Sequence, residues 1–422
     1  MNVFVGIVVG FFVLMMLVTL HEFGHFMMAR RNGVKVLEFG IGFPPRAVAL
    51  VRDKKSGKWR RLKREEWGEP QEGLVFSLNY LPIGGFCQMY GESAADKRKG
   101  TFGAASFWAK TKVLFGGVMM NWLVAFVIFT ILAWTGMPKF LENQFTIAMD
   151  TRTDYMPVRI VEVVEGAPAE RAGLSRGDYI EEVDGERFYE VKGITDYNEA
   201  HAGESVVYTM SRKGAVCEEV LAGDYGDKIK ECLDKAGEAR FLAEVELNSK
   251  EAEYLLGAAM EATQALSYST WSAPIVGAGL TLQVTGETFR GVAEIVWKTF
   301  VGIGSQFSMT NEVRESGREM ITEVGESVSG PVGIVGVLFP SFAEAGLTNV
   351  AFLAAIISVS LACMNVLPIP ALDGGRWLLI VIYKLRKKEL TKEVEEKIVS
   401  RAMVALLILI AIITILDIKR IF

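Results

Sequence analysis

The sequence predicts a polytopic α-helical membrane protein: about four transmembrane helices, an extracytoplasmic α/β domain, and a membrane-associated β-hairpin region on the cytoplasmic side. Three observations predict it. Half of the 422 residues are hydrophobic and the mean hydropathy is +0.28. The apolar residues gather into four uncharged runs. The segments between those runs alternate in the sign of their charge.

The runs are Val3–Leu20 (18 residues), Val113–Met137 (25), Val350–Leu372 (23) and Ala402–Leu416 (15). About 20 apolar residues carry a helix across a bilayer core. The first three meet that length, and the fourth reaches it with Ile398 and Val399 if Arg401 snorkels. The first run lacks the basic flank and small-residue cleavage site of a signal peptide, so it reads as a span.

Lys and Arg bias sets the orientation. Between Arg30 and Arg64 stand twelve basic and two acidic residues, and Lys384, Arg386, Lys387 and Lys388 form a second basic patch. Both belong on the cytoplasmic side. Segment 138–346 carries 18 basic and 35 acidic residues and belongs outside. Of the four cysteines, Cys217 and Cys232 share that outer segment, where they can pair or remain free. Cys87 and Cys363 lie elsewhere. No nucleic-acid partner is expected.

The resulting organisation is a first span at 1–30, a cytoplasmic-side loop at 31–106, a second span at 107–137 and an outer domain at 138–269. A juxtamembrane linker at 270–346, a third span at 347–386 and a fourth span with the C-terminus at 387–422 complete it. In the loop, Ala47–Asp53 and Trp59–Lys63 flank a Ser-Gly turn and read as a hairpin. Strand-like Leu74–Leu81 runs into Pro82-Ile83-Gly84-Gly85-Phe86, which is too short to span and can dip toward the membrane where protein satisfies its backbone. In the outer domain, strand-like Val158–Val164 is followed by a short helix after Gly166. Then come Gly173-Leu174-Ser175-Arg176-Gly177-Asp178-Tyr179-Ile180 and a tight turn at Val183-Asp184-Gly185. This stretch resembles a PDZ domain, a module that binds extended peptides at a sheet edge. Residues 221–265 read as helical and charged. Residues 270–345 read as Gly-rich and packed near the membrane without crossing it.

Two of the chain's three histidines form His21-Glu22-Phe23-Gly24-His25. Positions i and i+4 share a helix face, so both imidazoles can reach one metal. Zinc suits this ligand set, with Glu22 as general base on metal-bound water. With Arg30 at the interface, His21 lies roughly 13 Å inside the bilayer, where an ionisable cluster is costly unless it is functional. A catalytic zinc needs a third protein ligand. The remaining histidine, His201, is on the outer side, which leaves a carboxylate or a thiolate. Asp373, in Asn365-Val366-Leu367-Pro368-Ile369-Pro370-Ala371-Leu372-Asp373-Gly374-Gly375, is the candidate, with Cys363 as the alternative. Pro368 and Pro370 break the helix there.

With these residues in order, the chain resembles the site-2 protease family of intramembrane zinc metalloproteases, in its bacterial branch with a PDZ domain between the second and third spans. The likeness also takes in Phe39–Gly42, Leu81–Gly85 and Ser329–Ile334. It implies one zinc held by His21, His25 and Asp373, with Glu22 as the base. Asn365, Gly84, Gly85 and Asn121 are implied at the substrate. Val118 and Ser360 stand where the family carries Pro and Asn. The family implies cleavage of single-span membrane proteins, such as anti-sigma factors or remnant signal peptides; the cleaved segment must unwind, and strand-like Leu74–Leu81 near Gly84-Gly85 is expected to offer it a free strand to pair with. The setting implied is a bacterial inner membrane, with the active site near the cytoplasmic face and a peptide or substrate tail at the PDZ groove. A metal-free scaffold would have lost Glu22 or a ligand, and a transporter would need more polar residues in its spans.

Overall fold

A computed structural model describes residues 3–52, 57–67, 71, 73–141, 143–222, 229–235, 237–262, 265–308 and 310–421. The chain forms two compact units. One comprises 1–137, 145–150 and 269–422, and the other comprises 138–144 and 151–268.

In the first unit, four helices among the described residues are long and apolar enough to cross a membrane: Val3–Arg31, Phe107–Thr135, Leu347–Val366 and Lys392–Arg420. Helices suit that setting because each satisfies its own backbone polar groups. Helix α1 (Val3–Arg31) ends on Arg30 and Arg31, basic residues that complement its C-terminal dipole. It leads into strands β1 (Val36–Arg52), β2 (Trp59–Arg61) and β3 (Val75–Met89). Helix α2 (Phe107–Thr135) starts at Ser106, whose side chain accepts from the Ala109 amide, and stops at Gly136 with φ 115°. α1 and α2 approach closely at Gly24 and Gly116, where a Cβ on Gly24 would stand 2.2 Å from the Gly116 carbonyl oxygen. Small residues permit such contact between membrane helices.

The expected hairpin forms, with Leu50 opposite Arg61 and Arg52 opposite Trp59; part of its turn, Lys54–Ser56, lies outside the described residues. β1 begins much earlier than the expected Ala47 and takes in Phe39–Gly42. Both β1 and β3 bend back on themselves. Phe39 pairs with Phe76 on one side and Cys87 on the other, while Phe76 also pairs with Leu50. Val75–Leu78 is therefore paired along both edges, and Gly85–Gln88 forms an outer edge. Gly42, at φ 75°, makes one bend, since a Cβ there would meet the Leu81 carbonyl at 2.6 Å.

In place of a linker, residues 270–346 fold mainly as helices: α6 (Ala273–Ser305), α7 (Asn311–Ser327) and the apolar α8 (Pro331–Glu344). α6 packs on α2, its Gly277 lying against Thr130 and the Phe126 carbonyl. Glycines and polar residues at 286–291 weaken the apolar pattern, which is why the sequence read as a linker. α8 seats Pro340 and Phe339 against Gly6 and Gly10 of α1. Helix α9 (Leu347–Val366) follows, then α10 (Asp373–Leu385) and α11 (Lys392–Ile421). α11 is pinned near its two ends by buried carboxylates. Glu395 accepts from the Ser93 hydroxyl and the Ala94 amide at 2.8 Å each. Asp417 accepts from the Gly333 amide at 2.8 Å and the Gly330 amide at 3.2 Å.

The second unit is built on a six-stranded sheet. Its strands are β4 (Val158–Val163), β5 (Tyr179–Val183), β6 (Ser205–Lys213), β7 (Ile229–Lys235), β8 (Glu238–Glu246) and β9 (Ala258–Glu261), with spatial order β9-β4-β5-β6-β8-β7. Helices α3 (Pro168–Arg171), α4 (Val191–Ala200) and α5 (Cys217–Leu221) complete it. The helical expectation for 221–265 is corrected: its described residues hold β7, β8 and β9. Along β8, Ala239, Phe241, Ala243 and Val245 are buried, a period of two. Ala, Glu, Leu and Lys favour helix intrinsically, but pairing on β6 and β7 overrides that weak preference. Cys217 and Cys232 are disulfide-bonded. Asp178 is fully buried and is compensated by the Arg212 Nε at 2.6 Å, its Nη2 at 2.8 Å and the Ser175 amide at 2.8 Å. Loss of one partner from such a pair costs about 3–5 kcal/mol.

Candidate metal centre

The centre is built on one face of α1. His21 and His25 set their rings edge to face, with centroids 4.8 Å apart and Nε2 atoms 3.1 Å apart. Both are 7% exposed. The third member arrives from the far end of the chain. α9 ends at Val366 and Leu367 turns extended. Pro368 and Pro370, lacking amide protons, do not continue the helix. Asp373 opens α10, where a helix dipole favours a carboxylate. Gly374 and Gly375 let α10 press back on the bend, since Cβ atoms there would stand 2.1 and 2.0 Å from the Val366 and Ile369 carbonyl oxygens. Asp373 Oδ2 comes to rest 3.2 Å from the Nε2 of His21 and 3.2 Å from that of His25.

The triangle of donors fits a metal. With metal–ligand bonds of about 2.0–2.1 Å, a tetrahedral zinc places its ligand atoms about 3.3 Å apart. The observed edges are 3.1, 3.2 and 3.2 Å. Three side chains on one triangular face leave a fourth position open, the arrangement of a catalytic site. His25 Nδ1 donates to the Val113 carbonyl at 2.8 Å, which leaves its Nε2 lone pair toward the triangle. α2 leaves room for the rings only because residue 117 is glycine. A Cβ there would lie 2.5 Å from His21 Cε1 and Nε2 and 2.7 Å from His25 Nε2.

Glu22 is held from the sheet. Its Oε2 accepts the Cys87 amide at 3.1 Å. Cys87 pairs with Phe39 across the sheet, so this amide leaves the outer edge of β3 and points at α1. A cavity of about 820 Å³ opens beside Glu22, lined among others by Glu38, Arg46, Cys87, Gln88 and Glu92. Glu38 and Arg46 form an ion pair in its wall.

The remaining candidates fall in different places. Gly84 and Gly85 lie against Val18 and Thr19, one turn before His21; Gly84, at φ 68°, would bring a Cβ within 2.8 Å of Val18. Their absent side chains let β3 lie along α1. Asn121 is fully buried behind His21, its Nδ2 at 3.3 Å from Nδ1. Asn365, in the last turn of α9, donates to the Leu361 carbonyl at 2.9 Å. Cys363 is buried, and the metal-suited group comprises His21, His25 and Asp373 without it. His201 stacks on Tyr197 in the second unit. The expectation that Leu74–Leu81 offers a free strand is corrected, because Val75–Leu78 is paired on both sides; the open edge is Gly85–Gln88. The Cys87 amide and the Val113 carbonyl were invisible in sequence, since main-chain groups carry no residue signal.

Comparison with known proteins agrees with this architecture. The chain is 25% identical to a protein of Clostridium perfringens (strain 13 / Type A) that bears the provisional name zinc metalloprotease, over 95% of each chain. A similarly named Clostridium acetobutylicum protein is 25% identical over 98% of each. Regulator of sigma-W protease RasP of Bacillus subtilis (strain 168) is 22% identical over 99% of this chain and 100% of its own. The model of peptidase family M50 matches residues 9–60 and 64–410, taking in both the histidine helix and the Asp373 helix. The chain thus belongs to peptidase family M50 and is a membrane zinc metalloprotease of the site-2 type.

Proposed function

We propose that this protein hydrolyses a peptide bond within single-span membrane proteins, using one zinc per chain held by His21, His25 and Asp373. The observation that carries the reading is the triangle of Nε2, Nε2 and Oδ2 atoms with edges of 3.1–3.2 Å. Zinc bound there would supply a Lewis acid that lowers the pKa of water to about 7 and polarises the scissile carbonyl.

The chain's own residues do the rest. Glu22 removes a proton from the attacking water as its oxygen bonds to the carbonyl carbon. It returns that proton to the amide nitrogen as the C–N bond breaks, yielding a carboxylic acid and an amine, and the acid's proton then passes to the amine to leave carboxylate and ammonium. The Cys87 amide fixes the carboxylate for this work. A helical substrate hides its amides, so the cleaved segment must first unwind. The outer edge of β3 at Gly85–Gln88 is suited to receive it as an added strand. The exposed Ile41, Phe43, Leu78, Tyr80, Leu81 and Ile83 suit contact with the bilayer near that edge. The cavity beside Glu22 offers water a route.

The setting is a bacterial inner membrane with both termini outside and the site near the cytoplasmic face, supported by the Lys and Arg distribution. The six-stranded outer unit is read as a PDZ domain with a groove for a peptide or a substrate tail. Substrates of the anti-sigma-factor or remnant-signal-peptide kind follow from the family resemblance. Proteomics of membrane fragments tests this. Fragments that accumulate with Glu22→Gln and disappear with the parent enzyme identify substrates. Identical fragment profiles in the two strains would refute proteolysis.

A further inference from the structure

We propose that Asn121 is the positioning residue of His21, accepting the Nδ1 proton through its side-chain oxygen and so presenting Nε2 to the metal. The inference rests on the reading of the triangle as a zinc site, and it assigns Asn121 a role other than substrate contact.

A histidine that ligates through Nε2 must keep its proton on Nδ1, and that proton needs an acceptor. For His25 the acceptor is the Val113 carbonyl, 2.8 Å away. For His21 the neighbour of Nδ1 is the amide of Asn121, at 3.3 Å and fully buried. As placed, the Asn121 nitrogen faces the ring while its Oδ1 is buried with no hydrogen-bond partner among the described residues. Two donors would then face each other beside an orphaned acceptor. Amide oxygen and nitrogen are assigned from the bonds they make. A half-turn of the amide resolves both faults, placing Oδ1 against Nδ1–H.

The surroundings hold Asn121 at that height. Ser358 of α9 donates its hydroxyl to the Asn121 carbonyl at 2.8 Å, in a fully buried contact. Asn121 stands one turn beyond Gly117, which admits the rings. α2 therefore supplies both the space for His21 and the acceptor behind it. The two histidines are oriented by different kinds of group: a main-chain carbonyl that no substitution removes, and a side chain that one substitution does.

The test measures zinc affinity of the full-length purified enzyme by chelator competition, in the parent and in Asn121→Leu, Asn121→Asp and Asp373→Ala. Leu keeps the branched outline and removes the acceptor; Asp keeps the shape and an acceptor. Loss of such an outer partner typically weakens metal binding by about 10–100-fold. Asn121→Leu is expected to fall in that range, while Asn121→Asp stays within about threefold of the parent. Parent-like affinity in Asn121→Leu overturns the inference, as does an Asp variant as weak as the Leu variant, because packing alone would then explain the loss. Asp373→Ala separates the two levels. If it binds zinc as the parent does, the metal-site reading itself fails; if it loses zinc while Asn121→Leu does not, only the role of Asn121 fails.

Discussion

Nε2 of His21 lies 3.2 Å from Oδ2 of Asp373, a residue 352 positions away in the chain. Only the folded bundle brings these atoms together, so metal affinity reports on tertiary structure. Asp373→Ala should lower zinc affinity by more than the 10–100-fold that loss of an outer partner costs. Metal analysis after dialysis checks it, and unchanged content would contradict the ligand role.

Glu22 stands outside the donor triangle and is held by the Cys87 amide. Glu22→Gln should therefore retain zinc while turnover falls by about 10²–10⁴-fold, the usual worth of a general base. A cleavage assay run beside metal analysis separates the two. Full activity would exclude Glu22 as the base.

Gly117→Ala tests the fit of the rings against α2. Alanine improves helix propensity by about 1 kcal/mol, yet its Cβ would stand 2.5–2.7 Å from atoms of both histidines. Zinc affinity should fall at least about tenfold, as for displaced ligand orientation, while helix content by circular dichroism is retained. Unchanged affinity would show that the rings move aside freely.

Asp150 offers a pH test away from the metal. Its desolvation, the largest influence, pushes its pKa up, but hydrogen bonds from Ser272 and Thr270 outweigh that and hold it at about 2, against an ordinary 3.8. A depressed carboxylate stabilises the fold above its unfolded value and loses that contribution as pH falls through the folded one. Asp150→Ala should melt below the parent at neutral pH, and the gap should close between pH 3.8 and about 2. A gap independent of pH would place its effect in packing.

Much of this was legible in sequence where chemistry and setting conflict. Two histidines one turn apart and an aspartate just after two prolines are conspicuous in apolar segments, and both lie at the centre. The four spans were legible for the same reason, since a charge-free run has few other uses. The place of Asn121 behind His21 was not legible, because burial there depends on how α1 and α2 cross. The open strand was placed at Leu74–Leu81 because alternation marks a strand without saying which edges are taken. β7 to β9 were missed because charged, helix-favouring residues can also face outward from a sheet.

The anchor of Glu22 lies on a strand, while the metal-suited residues lie on helices. A shift of β3 relative to α1 would carry off the amide that holds Glu22, the proposed base, and leave the donor triangle whole. On the proposed roles, metal content and catalytic competence are thus mechanically separable. A fully loaded population can still be idle, and counting bound zinc does not count working enzyme.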